Sequence, residues 1–109
     1  MDANDPIIGE TIRWTFSEGP LEGRTFEHTF HYDGTVEFRS VVGEKKGRLT
    51  RAKDSEIARI GDDVYAASYL GPSGHTLSVV LDFRTGKLVA FASNEKELTM
   101  QRGTFELGD

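Results

Sequence analysis

Apolar and polar residues alternate along most of this chain, and that period of two predicts an almost all-β protein. Over residues 11–17, Ile12, Trp14 and Phe16 share one face while Thr11, Arg13 and Thr15 take the other. A loop punctuated by Gly19, Pro20 and Gly23 follows. Residues 24–32 set Phe26, His28, Phe30 and Tyr32 opposite Thr25, Glu27, Thr29 and His31. Asp33-Gly34 then predicts a tight type I′ turn, in which both central residues need positive φ. A third strand over 35–41 carries Val36 and Phe38 on one side, so the first three strands form a meander.

Gly43 to Gly47 reads as a charged turn, and the stretch after it is less decided. A strand over 56–60 competes with a short helix over 52–60, because Ile57 and Ile60 also fit helical spacing. Strands over 64–70, 75–82 and 87–93 are separated by Gly71-Pro72-Ser73-Gly74 and Arg84-Thr85-Gly86. Leu77, Val79, Leu81 and Phe83 make the most apolar face, and a last strand near 104–107 completes the set. About eight short antiparallel strands joined in sequence predict an up-and-down β-barrel. A barrel of about eight strands either fills with side chains or holds one small ligand.

Composition narrows the partners. At 109 residues the chain makes one domain, expected over 9–109 behind a disordered polar tail over 1–8. Thirteen basic against 18 acidic side chains give a formal charge of −5, and the densest cationic spot is Lys45-Lys46. Nucleic-acid binding needs clustered cations to displace counterions, so no nucleic-acid partner is expected. The absence of cysteine excludes disulfides, thiolate metal sites and cysteine nucleophiles. The N-terminus is polar and acidic, and no apolar run approaches the roughly 20 residues needed to cross a bilayer. The expectation is a cytoplasmic protein with no membrane partner.

The run Ile12-Arg13-Trp14-Thr15-Phe16, then Gly23-Arg24-Thr25-Phe26-Glu27-His28 and Asp33-Gly34-Thr35-Val36, resembles the domain family named after molybdenum cofactor biosynthesis protein F. Asp63-Val64-Tyr65 through Ser68-Tyr69, Leu81-Asp82-Phe83-Arg84-Thr85-Gly86, Phe91-Ala92-Ser93-Asn94-Glu95 and Gln101-Arg102-Gly103-Thr104-Phe105 extend the likeness over most of 9–107. It implies a lipocalin-like (calycin) antiparallel barrel, and it does not imply a role in that cofactor's synthesis. A more distant similarity is to the phenolic acid decarboxylases. In that family two first-strand tyrosines seat a substrate carboxylate, an arginine follows the third strand, and a glutamate precedes a turn proline. By position these fall on Trp14, Phe16, Arg48 and Gly71. Only the arginine is kept. Phe16 has no hydrogen-bond donor and Gly71 has no proton to give, so the usual decarboxylation lacks its acid.

The candidate ligand-binding residues are therefore Trp14, Phe16, Phe26, Arg48, Tyr65 and Tyr69. Aromatics on alternating positions can floor an apolar pocket or simply pack the core. Arg48 can clamp a carboxylate through its planar fork or sit solvated beside Lys45, Lys46 and Arg51. His28 and His31 are three apart on a strand and point to opposite faces, and no carboxylate joins them at ligand spacing, so neither metal nor cofactor is expected. His28, among Phe26 and Phe30, reads as a hydrogen-bonded core histidine. Weak catalytic candidates are His75, which starts a strand beside the Gly71 turn, together with Tyr69 and Glu27. The serines lack a nucleophile-elbow context. Three readings stay open: a barrel binding a compact aromatic or anionic metabolite, a small calycin-fold lyase or isomerase, and a filled-barrel homodimer pairing through one sheet face.

Overall fold

The computed structural model describes residues 6–108. Its strands are β1 (Thr11–Glu18), β2 (Thr25–Phe30), β3 (Val36–Val42), β4 (Lys45–Lys46), β5 (Thr50–Ala52), β6 (Asp54–Gly61), β7 (Val64–Leu70), β8 (Thr76–Asp82), β9 (Lys87–Ser93) and β10 (Leu98–Leu107). They form one antiparallel sheet in the order β4-β3-β2-β1-β10-β9-β8-β7-β6, with β5 also on β3. Only Lys53 separates β5 from β6, yet β5 pairs with β3 while β6 pairs with β7. This bent run joins the two ends of the sheet through the chain, and the antiparallel strands curl into an up-and-down, calycin-like barrel. Ser55 Oγ donates to the Gly34 carbonyl at 2.9 Å across that seam. Among the described residues no helix is long and apolar enough to cross a membrane.

The inward positions follow the alternation. Ile12, Trp14 and Phe16 from β1 face inward with Phe30, Val36, Ala67, Val79, Leu81, Leu88 and Ala90 in one buried cluster. One end of the barrel is packed with aromatic rings. Tyr65 meets Phe83 edge-on at 5.8 Å, and Phe83 meets Phe105 at 4.9 Å. Up-and-down connectivity gathers the connections after β1, β3, β7 and β9 at the opposite end.

One open alternative is decided and three expectations change in detail. The strand reading of 56–60 holds against the helix, because every residue from Asp54 to Arg59 pairs with β7. The turn at Asp33-Gly34 is not type I′. Only Gly34 has positive φ there (89°), and His31 N–H donates to Thr35 O at 2.9 Å around a three-residue loop. The Asp33 carboxylate instead accepts from both the backbone N–H and the hydroxyl of Thr35. Of the expected tail, residues 1–5 lie outside the described residues. Ile7 is fully buried and Ile8 bridges Phe30, so the barrel begins before residue 9.

The last strand is the largest difference. It runs ten residues from Leu98, not four from 104. Its first half inverts the usual pattern: Gln101 and Gly103 point inward and are buried, while Leu98 and Met100 are exposed. Met100 sits opposite the half-exposed Phe91 of β9, which gives that outer face an apolar row.

Candidate functional site

The half of the barrel under the β1–β2 connection is not filled. A cavity of about 130 Å³ is lined by Trp14 and Phe16 (β1), Phe26 and His28 (β2), Phe38 (β3), Tyr69 (β7), Leu77 (β8) and Leu21 from the connection after β1. Each strand residue falls on the inward phase of its alternation, so the cavity is a product of the pattern that makes the core. Larger hollows of about 370 and 460 Å³ lie on the outside, over Asp33 and Ser55 and over Val80 and Arg102. Those are open grooves. The inner cavity is the one walled by aromatic rings, of which Trp14, Phe16, His28 and Tyr69 are buried.

His28 is the polar centre of this wall. It is 2% exposed, stacked on Trp14 with ring centroids 3.8 Å apart and on Phe38 at 5.3 Å. Its Nε2 lies 2.9 Å from the Tyr69 hydroxyl. Burial without a nearby anion penalises the imidazolium and pushes His28 down to about 3, so the ring is neutral at physiological pH. Burial likewise pushes the Tyr69 phenol well above its ordinary value, keeping it protonated. Among the described residues, the buried nitrogens Trp14 Nε1 and His28 Nδ1 have no hydrogen-bond partner, and neither has the buried side-chain amide of Gln101 on β10. Native interiors pair the great majority of such groups.

The expected site residues divide cleanly. Trp14, Phe16, Phe26 and Tyr69 come together around the cavity. Tyr65 is buried in the packed half against Phe83. Arg48 stands exposed between β4 and β5, outside the cavity lining. The cation at the cavity's edge is Arg24, whose exposed guanidinium lies 5.6 Å from the Phe26 ring centroid. His75 is exposed on the rim, with Nδ1 3.0 Å from Ser73 Oγ and Nε2 3.2 Å from Asn94 Nδ2. Gly71 is buried in its turn, where a Cβ would press on the His75 carbonyl at 3.2 Å.

Glu27 is buried too, but on the outer face. Arg13 on β1, Arg39 on β3 and Lys46 on β4 converge on its carboxylate at 2.6, 3.2 and 3.5 Å. The hydrogen bond from Arg13, with Arg39 and Lys46 behind it, holds this carboxyl below the usual range. Glu27 therefore ties three neighbouring strands together and cannot reach the cavity.

Sequence reasoning set His28 aside as a core histidine and did not single out Phe38, Leu77 or Leu21. The available signal was His28 sharing the inward face with Phe26 and Phe30 and with no charged neighbour on it. The strand from which its Tyr69 partner comes is 41 residues away and was not legible as a neighbour. Among the described residues no group of three or more His, Asp or Glu is placed to hold a metal ion.

The family model described as MoaF-like matches residues 8–106. No curated protein matches the chain significantly. Fourteen chains of solved structures do. One is a crystal structure from Burkholderia vietnamiensis of a protein provisionally described as a beta-lactamase. It superposes with a TM-score of 0.78 at 16% identity, over 98% of this chain and 100% of its own, a likeness of fold alone.

Proposed function

The chain belongs to the MoaF-like family, and on that footing we propose that its barrel is a receptor for one compact, flat, largely apolar small molecule. The observation that carries this reading is the aromatic cavity of about 130 Å³ around a neutral, buried His28. An engineered apolar cavity of about 150 Å³ takes benzene, so the space suits one aromatic ring. Rings on several strands supply flat faces for such a ligand, and Leu21 and Leu77 supply the rest of the wall. The cation at the edge is Arg24, which stands over Phe26. An anionic substituent would belong at that rim and not inside.

The His28–Tyr69 pair favours a second reading, a lyase or isomerase working in the same cavity. Efficient proton transfer wants a pKa near the working pH. His28 at about 3 and a Tyr69 raised by burial are displaced in opposite directions away from it. They suit hydrogen bonding better than acid–base work, which ranks binding first. The beta-lactamase description of the structural neighbour adds nothing here, because the cavity lining holds neither serine nor lysine.

A cavity-filling variant tests the proposal. Leu77→Phe is expected to abolish toluene binding measured by calorimetry, with stability changed by no more than about 1–3 kcal/mol. Undiminished toluene binding in that variant would place the ligand elsewhere on the molecule.

A further inference from the structure

Resting on that reading, we infer that the ligand presents a neutral hydrogen-bond acceptor, a carbonyl-type oxygen, to Trp14 Nε1 and His28 Nδ1, and that the cavity selects against its carboxylate counterpart. The indole N–H is a donor only, so a buried Trp14 Nε1 without a protein partner can be satisfied by an acceptor and by nothing else. The His28 tautomer follows from counting unpaired groups. If Nε2 donated to Tyr69, the phenol hydrogen and the Nδ1 lone pair would both be left buried and unpaired. If the phenol donates to Nε2, only Nδ1–H remains. The second arrangement leaves fewer orphans and makes Nδ1 a donor as well.

Trp14 and His28 both line the cavity and are stacked at 3.8 Å with 20° between their planes, so their in-plane N–H bonds lie in nearly parallel planes. One carbonyl oxygen has two lone pairs and can accept from both. A carboxylate has the oxygens but brings a charge into a wall without a cation, where His28 stays neutral. The proposed ligand class is thus a single-ring aldehyde, ketone, ester or amide.

Calorimetry at neutral pH with toluene, benzaldehyde and benzoate reads this directly on the wild-type protein. Benzaldehyde is expected to bind about tenfold more tightly than toluene, the worth of one satisfied neutral hydrogen bond. Benzoate is expected to be at least about a hundredfold weaker than benzaldehyde. Trp14→Phe should remove the advantage of benzaldehyde over toluene when both are measured on that variant. Equal affinities for toluene and benzaldehyde would overturn the acceptor inference while leaving the receptor reading standing. Benzoate matching benzaldehyde would overturn the selection against charge. If none of the three binds, the receptor reading itself falls and this inference with it. The wild-type series decides the matter even if the Trp14 variant does not fold.

Discussion

Gly103→Ala is expected to cost about 3–5 kcal/mol, a large share of the 5–15 kcal/mol that typically holds a domain of this size. Gly103 is buried on β10 between Phe16 of β1 and Leu88 of β9. A Cβ there would run into the Thr15 carbonyl oxygen and come within 2.9 Å of Phe16 Cα. These are backbone atoms of the neighbouring strand, so no side chain can swing aside to relieve the clash. The β1–β10 register shifts just beyond this point, between Phe16 and Glu18, which is where the two strands bend over each other. Gly19 repeats the requirement on the far side: its φ is 103°, and a Cβ would meet the Met100 carbonyl at 2.6 Å. The pairing at risk joins the first strand to the last, so its loss opens the barrel. Urea denaturation should show the midpoint falling sharply for Gly103→Ala. It should hardly change for Gly108→Ala, whose Cβ would meet nothing within 4 Å. A Gly103→Ala midpoint equivalent to wild type within about 0.5 kcal/mol would contradict the close approach.

The second large effect is acid sensitivity set by His28. The folded state holds this ring at about 3, against an ordinary value of 6.5 in the unfolded chain. Between those two values the unfolded chain binds a proton that the folded chain refuses, so stability is fully present above pH 6.5 and falls as pH falls toward 3. The limiting slope is about 1.4 kcal/mol per pH unit, or about 2 kcal/mol by pH 5. The neighbours facing the ring are Trp14, Phe26, Phe30, Phe38 and Tyr69, none of which carries a negative charge to pair with an imidazolium. Glu27, Asp33 and Glu37 all titrate below their ordinary values, so their contributions are lost only at lower pH. The double variant His28→Phe, Tyr69→Phe removes both partners of the buried bond together and leaves neither unpaired. Its stability should be nearly flat from pH 6.5 to 5 while the wild type declines. A wild-type profile as flat as the variant's would mean that His28 reaches water or a counter-charge on protonation.

How much of this was legible in the sequence follows from which forces are local. Alternation of Ile12, Trp14 and Phe16, and of Phe26, His28 and Phe30, fixed strand phase and inward face together, and both were read correctly. The first half of β10 was invisible because alternation there runs backwards: Gln101 and Gly103 are inward, Leu98 and Met100 outward. Gly103 is inward for lack of space, a property of the strand beside it that no residue pattern around position 103 records. Turn chemistry misled in a smaller way, since Asp33-Gly34 fits two loop types, and the Asp33–Thr35 hydrogen bonds select between them.

At the site, four of the six expected ligand-binding residues meet, because they share phase on strands adjacent through the barrel wall or across it. Tyr65 shares the same phase as Tyr69 but lies four residues along β7, in the packed half. Phase does not reveal depth. Glu27 illustrates the converse: it is as buried as a core residue, yet its burial comes from Arg13, Arg39 and Lys46 folding over it from neighbouring strands. His28 acquires its meaning only from partners that closure of the barrel brings to it.

The most direct test of the central claim uses the fact that Trp14 is the chain's one tryptophan. Its indole N–H gives one side-chain resonance of its kind in a proton–nitrogen correlation spectrum, and that group lies in the cavity wall. Titration with toluene should displace this resonance saturably, together with signals from Leu21 and Leu77, while the exposed outer strands stay still. An indole resonance that remains fixed up to the solubility limit of toluene would contradict the account of this barrel as a receptor.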